Sequence, residues 1–307
     1  MLVFATSDKG GTGRSVTSAN VAYRRALQGG SVAYLDFDFG SPTVGTIFSI
    51  ASAVRGIEEG GLHSYLCGTS QRDWPRQLDV WTESDRTSLR GRPDGAGQLI
   101  LLPGDIGGGE FPSSPDIIDR CVKLLLRLDE EFDVCLVDLS AGRSFATEIA
   151  LAATARPELR GVTARWLVYH RWTRQHIIAA EGLVSGADGI LKLGEAQGHD
   201  PDRLRASIRY VRTAFVDPDS DELAGLRAEQ VAWLRATNQV LQRLASDRRI
   251  GRTTLIGSVP LDPVLQWREQ LITDWDTTIR QIANRATVDA FELIAKRLED
   301  DAAWAAL

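Results

Sequence analysis

The sequence predicts an α/β protein built on a doubly wound, mostly parallel sheet with helices on both faces. Three observations carry that prediction. A glycine-rich run, Lys9-Gly-Gly-Thr-Gly-Arg-Ser15, separates a strand-like apolar segment from a helix-compatible one. Two further apolar segments end in aspartates, one at Asp36-Phe37-Asp38 and one at Asp138. Strand-like and helix-like stretches then alternate along the rest of the chain, as such a sheet requires.

The first strand is predicted at residues 2–5 and the first helix at 16–27. Between them, Gly10, Gly11 and Gly13 let the backbone turn and approach a ligand with no Cβ in the way. Inward-pointing N–H groups of such a loop, together with the helix N-terminus, cradle a phosphate chain. Thr12 and Val16 belong to that cradle, and Ser15 stands where a loop hydroxyl would hold Mg²⁺. The standard pattern is a glycine, four residues, then Gly-Lys-Ser/Thr. This loop departs from it at three places. Asp8 takes the first glycine position, Arg14 replaces the lysine, and an extra lysine, Lys9, opens the loop.

The second strand, 31–35, runs into Asp36-Phe37-Asp38 and a turn-rich loop at 39–43. Two carboxylates at a strand's C-terminal end, beside a phosphate loop, lie where ligands bind in open α/β sheets. Short helical pieces are expected at 62–67 and 74–78, and an Arg/Gly-rich mobile loop at 87–98. A buried strand at 99–103 leads into the glycine turn 104–109, which reads as a connector, with Gly107 to Gly109 as an alternative anion-binding turn. An amphipathic helix follows at 116–128, with Asp116 as its N-cap. The run Phe132-Asp-Val-Cys-Leu-Val-Asp138 is a Walker-B-like strand. Strands at 164–169, 204–211 and 254–259 complete the sheet. His170 and Trp172 finish a strand and pack beneath a loop, with ligand contact as the lesser reading, and His176 lies on the surface at a helix start. A helical arm at about 221–246 carries an apolar stripe that packs on the sheet or on a partner; Trp233 lies beside it. C-terminal helices occupy about 263–300, so residues 1–307 form one domain.

The loop with its early Lys9 resembles the deviant phosphate loop, Lys-Gly-Gly-x-Gly-Lys-Ser/Thr, of the ParA/MinD family of P-loop ATPases. The aspartates at 36, 38 and 138 fall in the family's order and spacing. The resemblance implies ATP and Mg²⁺ as cofactors and an ATP-dependent homodimer in which Lys9 reaches the partner subunit's phosphates. It also implies that Asp38 positions the attacking water, and that Ser15, Asp36, Asp38 and Asp138 lie at the metal. Lys9 and Asp38 are then the catalytic pair. The turn Leu139-Ser140-Ala141-Gly142 resembles the family's γ-phosphate turn, and Pro260-Leu261-Asp262 its proline turn near the base. The family's base-reading asparagine is missing from Tyr210-Val211-Arg212-Thr213, leaving Arg212 to flank the base.

Composition fits this picture. A chain of 307 residues, 43% hydrophobic and 25% charged, has enough apolar residues for a large α/β core. No run approaches the roughly 18 apolar residues of a membrane span. No leader pattern precedes the first strand, so a cytoplasmic location is expected. The three cysteines are scattered, which argues against the iron–sulfur carriers and nitrogenase reductases on the same fold. The acidic end, Leu298 to Leu307, disfavours the membrane surface as a partner. Arg203, Arg205, Arg209, Arg248, Arg249 and Arg252 make non-specific DNA a candidate partner, against a net charge of −6.

Two functions follow. In the first, the protein is a switch with slow, partner-stimulated ATP hydrolysis, positioning cargo or regulating another protein. In the second it is a non-hydrolysing nucleotide sensor or scaffold, because arginine and lysine are not interchangeable at a tight phosphate site.

Overall fold

A computed structural model describes residues 1–220, 223 and 225–305. Among these residues eight strands form one sheet: β1 (Leu2–Thr6), β2 (Val32–Phe37), β3 (Leu78–Asp79), β4 (Leu99–Leu102), β5 (Val134–Leu139), β6 (Ala164–Arg171), β7 (Ile208–Phe215) and β8 (Leu255–Pro260). Their spatial order is β3-β4-β2-β5-β1-β6-β7-β8. All neighbours pair in parallel except β3 with β4. Parallel strands are covered on both faces, so they read as continuous apolar runs; the period of two emerges only in which core each residue enters. Leu2 and Phe4 enter one core, Val3 and Ala5 the other. The first core is covered by helices Pro115–Glu131, Phe145–Thr154 and Arg174–Ser185, the second by Arg14–Leu27 and Arg285–Arg297.

The chain leaves β1 toward β2 and later returns to lay β6 on the other side of β1. The crevice at this reversal opens at the C-terminal end of β1, where open α/β sheets bind ligands. The C-terminal segment is tied to the helix that follows the loop. Asn20 donates to the Gln270 carbonyl at 3.0 Å and accepts from Ile272 N at 2.7 Å. Arg24 donates to the Ile272 carbonyl at 2.7 Å.

Several expected elements differ. Residues 74–78 form no helix: Leu78–Asp79 is instead the short antiparallel edge strand, and the Trp74 ring packs against Tyr65 and Arg127. The helix expected from 116 begins at Pro115, with Ser114 Oγ accepting from Ile117 N at 3.4 Å, so Ser114 and not Asp116 is the cap. The strand expected at 204–211 lies at Ile208–Phe215, because Asp200 caps a helix at Pro201–Ala206 first. The arm is the helix Ala228–Asp247; residues 221, 222 and 224 lie outside the described residues. Only Leu241 and Ala245 of this helix are buried, while Trp233 is exposed, so the stripe packs on the body only toward its C-terminal end. The C-terminal region contains helices at Pro263–Trp267, Asp274–Thr278, Arg285–Arg297 and Asp301–Trp304. In the glycine turn, a Cβ at Gly108 would fall 2.2 Å from His63 Nε2, so that glycine is required by packing.

Candidate nucleotide site

The loop leaves β1 at Thr6, and helix Arg14–Leu27 starts at its far end with Gly13 as the N-cap. Gly11 and Gly13 have φ of 70° and 74°, where only glycine is unstrained. The loop is stitched to its surroundings from two distant segments. Thr213 Oγ1 donates to the Thr12 carbonyl at 2.5 Å, and Gly142 N to the Ser7 carbonyl at 2.7 Å. The loop borders a cavity of about 560 Å³. Gly10 to Val16, Asp38, Ala141, Thr213 and Pro260 all border it, so the loop, the second strand's acidic end and the proline turn converge as the sequence predicts.

Asp8 would repel phosphate if it faced the cradle. Instead Arg143 donates to its Oδ1 at 3.3 Å, and is itself held by the Gly182 and Asp188 carbonyls. Lys9 is half-buried, makes no ion pair with the described residues, and does not border the loop's own cavity. His176, beside it, has its pKa lowered by burial and by the Lys9 charge.

Arg14 dominates the site. Its side chain is 6% exposed and its guanidinium closes on three oxygens. Nε donates to Asp138 Oδ1 at 2.6 Å, while one terminal nitrogen donates to Asp38 Oδ2 at 3.0 Å and to Ser15 Oγ at 3.3 Å. Burial alone would lower its pKa, but Asp138 and then Asp38 more than offset that, so the charge is held firmly. Asp138 is fully buried and its Oδ2 has no hydrogen-bond partner among the described residues.

Asp36 takes a different part. Its Oδ2 accepts from Val44 N at 3.2 Å and its Oδ1 from Asp38 N at 3.3 Å, so it braces the loop after β2. Burial, then the facing Asp138 charge, raises its pKa well above its ordinary value. Both its oxygens are therefore already engaged by backbone donors. The oxygens of Ser15, Asp38 and Asp138 suit Mg²⁺ by type. They do not fit it in this arrangement, because the Arg14 cation already stands among all three. No group of three or more His, Cys, Asp or Glu side chains able to hold a metal occurs among the described residues.

Arg212, expected at the base, is brought elsewhere. Side chains alternate along β7: Val211 joins the core beneath the loop, whereas Tyr210 joins the opposite one and Arg212 borders a separate cavity on that side. Thr213 and Ala214 face the loop instead. Arg143 and Thr213 were not anticipated as site residues, since their contacts lie 135 and 201 positions away in sequence. The basic cluster is not continuous either. Arg209 is buried on backbone carbonyls and Arg248 pairs with Glu181, leaving Arg203, Arg205, Arg249 and Arg252 exposed.

The buried Arg14–Asp138 pair makes a direct prediction about stability. Asp138→Asn removes one charge and leaves the guanidinium buried against Asp38 alone. Such a loss costs about 3 kcal/mol, measurable by urea unfolding. A change below about 1 kcal/mol would mean that the pair does not hold the native site together.

Solved structures that share this fold include MinD proteins and a plasmid partition protein. MinD in its complex with MinC from Aquifex aeolicus aligns with a TM-score of 0.61 at 17% identity, covering 97% of this chain and 95% of that one. MinD from Pyrococcus horikoshii, complexed with Mg-ADP, aligns over 100% of both chains at 14% identity, with a TM-score of 0.55. A plasmid partition protein from Borrelia burgdorferi, bound to AMPPNP, gives 0.57 at 13% identity over 96% of each chain. At sequence level, an iron–sulfur cluster carrier protein from Pseudomonas fragi is 43% identical over 54 residues. That match covers 18% of this chain and only 19% of the relative. No family model matches the sequence. The chain therefore has the MinD/ParA-like fold. Among the described residues, no helix is long and apolar enough to cross a membrane.

Proposed function

We propose that this protein is a nucleotide-dependent switch on the ParA/MinD plan, in which binding of ATP, more than its turnover, is the signal. The observation that carries this reading is the position of Arg14. Its guanidinium supplies, from within the chain, a cation at the oxygens where the family resemblance puts Mg²⁺. It also engages Asp38, the residue that the resemblance casts as the positioner of the attacking water. While its Oδ2 accepts from the guanidinium, Asp38 is not free to orient an attacking water, so hydrolysis is slow.

The loop N–H groups and the start of helix Arg14–Leu27 would take the phosphates. Pro260, in the turn that the resemblance puts near the base, borders the same cavity. Lys9, turned out of its own cavity, would meet the phosphates of a second copy. Fold relatives were solved with Mg-ADP, with AMPPNP and with a partner protein, which supports nucleotide and partner binding here. A second reading, partner-stimulated hydrolysis, is favoured by one observation: Asp38 is about a quarter exposed, so Arg14 could release it by turning toward a γ-phosphate.

Light scattering with ATP, with ADP and with no nucleotide, each in Mg²⁺ or EDTA and with phosphate release followed, tests both. An ATP-only dimer that persists in EDTA with little phosphate release is the expected result. Release that rises steeply in Mg²⁺ with no partner present would overturn slow hydrolysis, whereas release that rises only on adding a partner would favour the second reading. A mass that never responds to ATP would overturn both.

A further inference from the structure

On the opposite face of the sheet, β7 and helix Ala228–Asp247 enclose a cavity of about 1040 Å³, larger than the one at the loop. At its back lies Arg212, 9% exposed. The guanidinium sits 3.4 Å from the centroid of the Trp172 ring and 5.0 Å from that of Phe215. Trp172 is fixed in turn by donating from Nε1 to Asn238 at 2.8 Å. Arg212 forms no ion pair with the described residues, and its buried Nε has no hydrogen-bond partner. Burial, and then the charge of Arg252, lowers its pKa to about 10. Arg205, Arg249 and Arg252 border the same cavity, all exposed and none in an ion pair with the described residues. Among the described residues the carboxylates there are fewer: Asp202, Asp217, and Asp219, which is already held by Arg235 at 2.9 Å.

A buried, unpaired cation is costly in a folded protein. An anion reaching Arg212 would relieve that cost, and the Trp172 ring 3.4 Å away, with Phe215 set at 78° to it, confines the guanidinium for bidentate recognition. We propose that this cavity is a second ligand site, distinct from the phosphate loop, for a small phosphorylated molecule with at least two negative charges. Size argues for a small ligand: the volume matches small-molecule pockets, and Arg212 lies too deep for the backbone phosphates of a duplex. Charge argues for phosphate: one phosphoryl group brings two charges to one point, matching the deep arginine and those at the rim.

The site is coupled to the loop through three consecutive residues. Arg212 borders this cavity, Thr213 holds the Thr12 carbonyl, and Ala214, at a left-handed φ of 47°, borders the loop cavity. The pairing of β7 with β8 is irregular across this stretch. An anion that draws on Arg212 therefore acts on the strand that anchors the loop.

Pyrophosphate is the probe, followed by calorimetry without metal. Because it would also enter the loop, the background is Gly10→Glu. A Cβ at Gly10 meets nothing within 4 Å, so the fold tolerates the change while a carboxylate fills the cradle. Gly10→Glu should still bind one pyrophosphate. Adding Arg205→Glu and Arg252→Glu should weaken that binding at least tenfold. The same pair in an otherwise native chain should leave ATP binding at the loop intact, which separates failure of this site from failure of the nucleotide reading. Absence of pyrophosphate binding in Gly10→Glu, or affinity indifferent to the charge reversals, would overturn the proposal. So would a rim that binds a short DNA duplex but never pyrophosphate.

Discussion

Arg14→Lys is expected to make nucleotide binding depend on Mg²⁺. In the native chain the guanidinium spans Asp138 Oδ1, Asp38 Oδ2 and Ser15 Oγ at once, using donors fixed in a planar fork. A lysine ammonium is a point charge on a flexible stem and cannot present two separated donors in one plane. It would remain with the buried Asp138 or move to the phosphates, and in either case would give up Asp38 and Ser15. Those oxygens then suit a hard divalent ion. The native protein should therefore bind ATP with nearly equal affinity in Mg²⁺ and in EDTA. The lysine variant should differ at least tenfold between the two, or about 1.4 kcal/mol, and should release phosphate faster because Asp38 is free. Calorimetric titration under both conditions decides the matter. A native protein that itself loses tenfold or more in EDTA would falsify the idea that Arg14 stands in for the metal.

That prediction could not have been derived from the sequence alone, and the reason is physical. Glycines at 10, 11 and 13, and aspartates closing apolar runs at 36 and 138, are local patterns, so the loop and the parallel sheet around it were legible. What the Arg14 side chain touches depends on β2 and β5 being neighbours, with Asp36 registered against Asp138. No window of sequence contains both strands. The same limit explains Asp8. As a charge beside a phosphate loop it reads as a conflict, which Arg143 resolves from far along the chain. Arg212 fails for a different reason. The strand was expected at 204–211 but spans Ile208–Phe215, placing Arg212 within it, where alternation sends its side chain to the face away from the loop. Residues 74–78 misled because Trp-Pro-Arg-Gln-Leu is too short to show a period, and only its last residue pairs, at the free edge of β4.

Lys9→Ala should abolish the ATP-dependent dimer while leaving a folded monomer that still binds nucleotide. The structure makes this a clean substitution. Lys9 is half-buried, is in no ion pair with the described residues, and does not border its own cavity. Its loss should change stability by no more than about 0.5 kcal/mol, as for other substitutions away from the core. Across a dimer the balance is different. A lysine buried against a partner's phosphates is a charge pair removed from water, and truncating one member of such a pair costs about 2–5 kcal/mol. The dimer constant should fall by about 30-fold or more, while monomer affinity for ATP, set by the loop N–H groups and Arg14, stays close to native. Sedimentation or light scattering over a range of protein concentrations reads the first quantity and calorimetry on the monomer the second. Loss of both together would place Lys9 on its own nucleotide, acting within one subunit. Loss of neither would remove it from the switch and leave Arg14 as the principal cation of the site.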